Sequence, residues 1–205
     1  MTSSKFWDRI AERYAAKPVP NSDVYEAKLE RTRALLTPES RVVEIGCGTG
    51  TTALSLAPYV QSLLATDFSS EMINIAVRKA ATAGVTNVEF RSSPVEQFNC
   101  EGESIDVVMA HSLLHLLKDR KALMRSVYHW LKPGGYFVTS TACIQGWMLV
   151  LKPIWPLFAA TNVLPAVAFF NEDTLIREHE RAGFVIEQRW QPSKPNLFLI
   201  ARKPL

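Results

Sequence analysis

The stretch VVEIGCGTGTTA at 42–53 decides the fold. An apolar, β-branched run reads as a strand buried on both faces, and it passes directly into Gly46, Gly48 and Gly50 and then into a helix. Alternating glycines at a strand's C-terminal end allow positive φ and let backbone N–H groups approach a ligand, in the crevice where doubly wound sheets bind. The spacing is GxGxG and position 51 is Thr, so the third glycine of a pyrophosphate-binding loop is missing and a nicotinamide dinucleotide is disfavoured. Asp67 ends the next apolar run, SLLATD (62–67), about 20 residues past the loop, where a carboxylate accepts hydrogen bonds from a ribose diol. A nucleoside-bearing cofactor fits this pair of features; the bland alternative is a turn followed by a solvated aspartate.

Outward from this loop, short apolar runs alternate with segments of helical period. Strands are expected at 41–45, 62–67, 87–91, 105–110 and 136–141. Ser69 or Ser70 with Glu71 opens the helix after the second strand, Gly84 closes it, and Ile73, Ala76, Val77 and Ala80 form its buried stripe. A second helix over 118–131 ends at Pro133-Gly134-Gly135. The tail breaks the alternation: a helix over 172–182 precedes strands at 184–190 and 196–202, joined only by QPSKP. So short a connection makes them antiparallel, because a parallel crossover needs a dozen residues or more. Two helices at 6–16 and 24–36 come first and are expected to lie as a cap against the sheet. The fold class is therefore α/β, a doubly wound, mostly parallel sheet with helices on both faces and an antiparallel C-terminal hairpin.

The 205 residues suit a single domain, 1–205, with a helical cap at 1–37 and an apolar insert at 143–171. Apolar residues at 47%, charged residues at 21% and a mean hydropathy near zero exclude disordered and collagen-like classes. A net charge of +3, scattered along the chain, offers no nucleic-acid surface. Cys47, Cys100 and Cys143 are odd in number and widely spaced, which suits neither a disulfide framework nor a metal clip and points to a reducing compartment. The opening MTSSKFWDRIAERYA has charges but no apolar run, so a cytoplasmic location is expected. The uncharged stretch 153–171 is broken by Pro156 and Pro165, and no transmembrane segment is expected.

His111 and His115 follow the fourth strand in AHSLLHLL (110–117), at the edge where chemistry gathers on such sheets. Either is a candidate catalytic base, and either also reads as a hydrogen-bonded structural histidine. Their i, i+4 pair lacks the glutamate of HExxH, so no metal site is expected; His129 and His179 read as structural. The insert carries Trp147, Trp155, Phe158, Phe169 and Phe170. Its apolar side chains would roof a site for a small, partly apolar or aromatic molecule. A homodimer contact, packing of the insert on itself and a peripheral membrane contact are the competing readings, so the chain is a monomer or a homodimer.

Four ordered motifs resemble the class I S-adenosylmethionine-dependent methyltransferases: VVEIGCGTG (42–50), ATDFSSEM (65–72), IDVVMAHSLLHLL (105–117) and LKPGGYFV (131–138). The resemblance covers nearly the whole chain and implies a Rossmann-like, seven-stranded sheet whose last strand is antiparallel. It implies S-adenosylmethionine as cofactor, its methionine end at Glu44 and the loop of Gly46, Cys47, Gly48 and Gly50, its ribose at Asp67, and its adenine between Phe68 and Met72. Pro94 stands where many members carry an aspartate facing the adenine, which leaves Ser93 and the Val95 backbone as substitutes. FWDRIAERYA (6–15) is similar to the lead-in helix of quinone-biosynthesis methyltransferases, where the tyrosine matching Tyr14 closes over the cofactor. His111 is expected to touch cofactor as well as to act on the acceptor. The expected function is methylation of a small-molecule acceptor. The alternatives are a non-catalytic S-adenosylmethionine-binding scaffold and a nucleotide-dependent oxidoreductase.

Overall fold

Residues with no polar partner face along the chain can be buried only as central strands, and the structure places them so. The computed structural model describes residues 4–144, 155, 161 and 164–205. Its strands are β1 (Arg41–Ile45), β2 (Ser62–Asp67), β3 (Val88–Ser92), β4 (Ile105–His111), β5 (Leu131–Ala142), β6 (Val185–Ser193) and β7 (Asn196–Arg202). They form one seven-stranded sheet in the order β3-β2-β1-β4-β5-β7-β6, parallel from β3 to β5 and antiparallel where β7 meets β5 and β6. The chain leaves β1 first toward β2 and later returns to β4, so the switch of direction falls between β1 and β4.

Helices α1 (Ser4–Ala15), α2 (Ser22–Arg33), α3 (Thr51–Leu56), α4 (Ser70–Ala83), α5 (Arg120–Trp130) and α6 (Glu172–Arg181) cover the faces among the described residues. Alternate strand residues feed two apolar layers. Val108, Ala110, Phe137 and Leu199 face α5 and α6 through Leu123, Val127 and Leu175, whereas Val42, Met109, Val138 and Phe198 face Leu29 of α2 and Leu56 of α3.

Helix α4 begins and ends as expected: the Ser69 Oγ accepts from Met72 N–H at 3.2 Å, and Gly84 adopts the left-handed C-cap conformation. Its buried face is turned from the expected one. Met72, Ile73, Ile75, Ala76 and Ala80 are buried, but Val77 is 48% exposed. The cause is α1, which lies on α4 rather than on the sheet: Ala11 packs on Met72 and Ile75, and the Ser69 hydroxyl donates to Asp8 at 2.6 Å. That corrects the expectation that both leading helices cap the sheet. Only α2 does, joined to the antiparallel side by Lys28 on Ser140, by Arg31 on Gln188 and by the Arg31 guanidinium over the Trp190 ring at 4.7 Å.

Helix α5 starts two residues later than expected, with the Asp119 carboxylate capping Ala122 N–H at 2.9 Å. Pro133-Gly134-Gly135 lies inside β5 as a bulge, where Ile105 pairs with Leu131 but Val107 with Tyr136. A Cβ at Gly135 would stand 2.9 Å from the carbonyl oxygens of Asp106 and Lys132, so this crossing admits only glycine. Of the expected insert, 145–154, 156–160, 162 and 163 lie outside the described residues, and with them Trp147 and Phe158.

Candidate active site

Doubly wound sheets bind ligands in the crevice at the C-terminal strand ends where the direction switches, and here those ends bring the loop after β1 and the end of β4 to one edge. From β1 comes the glycine loop. Gly46 and Cys47 N–H both donate to the Thr66 carbonyl, at 2.7 and 2.9 Å, which pins the loop to β2. From α4, Lys79 Nζ donates to the hydroxyls of Thr49 at 3.0 Å and Thr51 at 3.3 Å. The glycines differ in what surrounds them. A Cβ at Gly50 would meet Phe90 at 2.7 Å and one at Gly46 would meet Leu113 at 3.0 Å, so both serve packing. At Gly48, with φ +54°, a Cβ would meet nothing within 4 Å. This glycine borders open space.

Two carboxylates converge beside it. Asp67 accepts from Gly48 N–H at its Oδ2 and from Ser69 N–H at its Oδ1, both at 2.9 Å. Each oxygen keeps a second lone pair, enough to receive a vicinal diol. Burial raises the Asp67 pKa, opposed by the backbone N–H groups of Ser69, Gly48 and Phe68. Glu44 is 2% exposed, and its Oε2 has no hydrogen-bond partner. Burial pushes its pKa up to about 8, against the Ala53 N–H and with help from the Asp67 charge. A buried carboxylate oxygen without a donor is costly, and a cationic donor would relieve it. Tyr14 is half exposed at the end of α1, and partial burial with the charges of Asp67 and Glu44 raises its phenol pKa.

The remaining sequence candidates fall on both sides of this cradle. Cys47 is buried in the loop, its thiol pushed up by burial and by Glu44. Phe68 is half buried next to Asp67, and Ser93 N–H donates to the Asp67 carbonyl at 2.9 Å. Met72 lies in the α1–α4 contact, and Val95 packs on the layer of α5 and α6.

Across the crevice, His111 ends β4 in register with Ser140 of β5, which stands opposite Phe198 of β7. The imidazole and the Phe198 ring lie 8° from parallel with centroids 6.5 Å apart, and Trp190 meets Phe198 edge-on at 6.1 Å. His111 Nδ1 is buried without a partner; burial, then the charge of Lys28, lowers its pKa to about 4. Ser112 follows in the left-handed conformation, φ +54°, with its N–H on the Ser140 carbonyl at 2.7 Å, a strained turn of the kind that gathers at functional sites. His115 sits in a short turn at Leu114–Leu116, with its own Nδ1 unpartnered and its pKa lowered to about 4 by burial; its carbonyl accepts from Ala168 N–H at 2.7 Å. Sequence reasoning missed Lys28, whose Nζ donates to Ser140 Oγ at 2.8 Å, and Ser140 itself. A signal existed: Lys28 falls between Tyr25, Leu29 and Thr32 on the inward stripe of α2, where a lysine is out of place.

Comparison with known proteins identifies the family. A methyltransferase-domain family model matches residues 42–135. A ubiquinone biosynthesis O-methyltransferase of Sinorhizobium fredii is 32% identical over 187 residues, 80% of this chain and 73% of that protein. The chain belongs to the class I S-adenosylmethionine-dependent methyltransferases. Another relative, the uncharacterized methyltransferase YcgJ of Bacillus subtilis, is 35% identical over 100 residues, which span 49% of this chain and only 40% of YcgJ. The YcgJ crystal structure superimposes with a TM-score of 0.68 at 24% identity, over 80% of this chain and 72% of that one. The [4+2]-cyclase SpnF shares the fold with a TM-score of 0.74 at 18% identity, over 89% of this chain and 80% of that one. A class I methyltransferase uses S-adenosylmethionine, and the residues present suit it: a ribose diol for Asp67, a cation for the orphan oxygen of Glu44, and free space at Gly48. Among the described residues, no helix is long and apolar enough to cross a membrane, and no His, Cys, Asp and Glu group of metal-ligating size occurs.

Proposed function

We propose that the protein transfers a methyl group from S-adenosylmethionine to the hydroxyl of a small, partly aromatic acceptor. The observation that carries this reading is the placement, at one edge of the sheet, of a carboxyl pair at Glu44 and Asp67 and of a hydrogen-bonding wall at His111 and Ser140, backed by the buried Phe198 ring and by Trp190. When bound, the cofactor supplies an electrophilic methyl on a sulfonium. Asp67, Glu44 and the loop of Gly46, Cys47, Gly48 and Gly50 would hold it, with Tyr14 over it and Phe68 and Ser93 at its nucleoside end. Met72 and Val95 would support that end from beneath.

The chain's own task is alignment, worth several kcal/mol or more through effective concentration, and exclusion of water. His111 is neutral above about pH 4, so its free Nδ1 is available to take the acceptor's proton. His115 is neutral by the same cause and would stand one turn further out. Trp155, edge-on to Phe169 at 6.2 Å and donating to the Pro165 carbonyl at 3.0 Å, would belong to a roof over the acceptor, whereas Cys143 and Phe170, expected in that roof, are buried in the core layer of α5 and α6. The name of the Sinorhizobium relative supports an oxygen acceptor on a quinone precursor or a similar ring. The three free cysteines suit a cytoplasmic setting.

The test is titration calorimetry with S-adenosylhomocysteine and with NAD(H), followed by mass spectrometry of catechol and hydroxybenzoate incubated with S-adenosylmethionine. Binding of S-adenosylhomocysteine and an O-methyl product are expected. Binding of NAD(H) alone would end the reading, and cofactor binding without transfer to any extract component would favour the non-catalytic scaffold.

A further inference from the structure

We propose that Lys28 is a catalytic residue of the acceptor site, its ammonium held on the Ser140 hydroxyl beside His111 to stabilise the acceptor oxygen as it loses its proton. The inference rests on the methyl-transfer reading above. Three observations carry it. First, Lys28 points inward from α2 and reaches β5, 112 positions away in sequence, with Nζ 2.8 Å from Ser140 Oγ. Second, Ser140 takes only one of the three ammonium protons, and none of the ion pairs among the described residues includes Lys28. Third, its charge is felt at His111, whose Nδ1 is buried and unpartnered.

A cation partly withdrawn from water without a counter-charge is costly, and a helix that needed only a tether to the sheet would be served by a neutral donor. Burial lowers the Lys28 pKa with no counter-charge to restore it, which is the state an incoming anion would correct. A cationic donor and a neutral acceptor of protons thus stand together on the wall of the crevice. They are complementary to a hydroxyl that becomes an oxyanion. In the step, the acceptor O–H bond breaks and its proton passes to His111 Nδ1. The oxygen's electron pair forms the bond to the methyl carbon as the carbon–sulfur bond breaks, and that pair stays on sulfur. The imidazolium, an acid with a pKa of about 4, then releases its proton to solvent.

The experiment uses 4-nitrophenol as probe, with S-adenosylhomocysteine present, and follows ionisation of the bound probe by absorbance as pH is varied. In the wild-type protein its apparent pKa should fall by about 1 to 3 pH units below that of the free probe, the range an adjacent opposite charge produces. Lys28→Met should abolish the fall, and Lys28→Arg should keep most of it. S-adenosylhomocysteine affinity and melting temperature should change little in either variant. If Lys28→Met leaves the fall intact, or if the wild-type protein does not bind the probe or does not alter its ionisation, the proposal is overturned while the methyltransferase reading stands. If the wild-type protein fails to bind S-adenosylhomocysteine, it is that reading which falls. Should Lys28→Met not fold, Ser140→Ala takes its place: freeing the ammonium should return the bound probe toward its free pKa, and an unchanged value overturns the proposal.

Discussion

The two sides of the crevice are built differently. On the β1–β2 side, nearby backbone holds most of the polar groups: both Asp67 oxygens accept main-chain N–H groups and the loop hangs from the Thr66 carbonyl, while the Oε2 of Glu44 is left without a partner. On the β4–β5–β7 side, the polar atoms come from distant segments and stay unmet, with His111 Nδ1 lacking a partner and Lys28 using one donor. The first side is held in shape mainly by its own backbone. The second is built from side chains of separate segments that keep unpartnered polar atoms. Mutations should therefore separate them.

The sharpest break in that comparison is Asp67→Ala, which removes two charge-assisted hydrogen bonds at about 1.5 to 3 kcal/mol each. S-adenosylhomocysteine affinity should drop by about a hundredfold or more in calorimetry, with the chain still folded by circular dichroism. Gly48→Val should do likewise by filling the open space beside the loop and straining a left-handed residue. Unchanged affinity in the aspartate variant would move the cofactor to another site.

On the opposite side, His111→Ala should lower turnover by about 10² to 10⁴, the usual contribution of a general base. Cofactor affinity should stay nearly constant. A parallel loss of cofactor binding would show that His111 belongs to both sides.

Trp155→Ala should raise the Michaelis constant for an aromatic acceptor about tenfold and spare cofactor affinity, if the residue roofs the acceptor. A core role predicts instead a stability loss of about 3 to 5 kcal/mol with both affinities falling together. A homodimer role predicts a melting temperature that depends on protein concentration, and that this substitution makes independent of it.

The mildest prediction concerns Glu44. Its carboxyl is neutral below about pH 8 in the folded protein and ionises near 4.5 when unfolded, so the unliganded fold loses stability as pH climbs from about 4.5 to about 8. Glu44→Gln should gain melting temperature over the wild type across that window. Conversely, a bound cation requires the ionised form, so wild-type cofactor affinity should rise with pH up to about 8, by at most tenfold per pH unit, and the glutamine variant should lose that slope. The buried histidines act on stability in the other sense. His111, His115 and His179, lowered from 6.5 to about 4, favour the fold when neutral, and their contribution is lost as pH falls through that interval.

Much of the first side was legible in the sequence. β1, β2 and β7 lie where the apolar runs placed them, and the short connection before β7 made the tail antiparallel. The loop and Asp67 carry their meaning in spacing along the chain. The second side was half legible: His111 was marked by its place after β4, but Lys28 was read as part of a generic cap. Val77 misled because a helical period gives the width of a buried face, and its direction was set by α1 packing on the Met72 and Ile75 side.

The sequence by itself determined the alternation of strands and helices, the glycine loop with its acid, and the hairpin. Each depends on residues a few positions apart, through backbone conformations open to glycine, through side-chain period and through loop length. Tertiary structure alone decided that α1 rests on α4, that Glu44 keeps an unpartnered oxygen, and that Lys28 meets Ser140 beside His111. Those contacts join segments whose separation is set by crossovers and by the packing of two apolar layers, and no local pattern encodes which side chains such packing brings face to face.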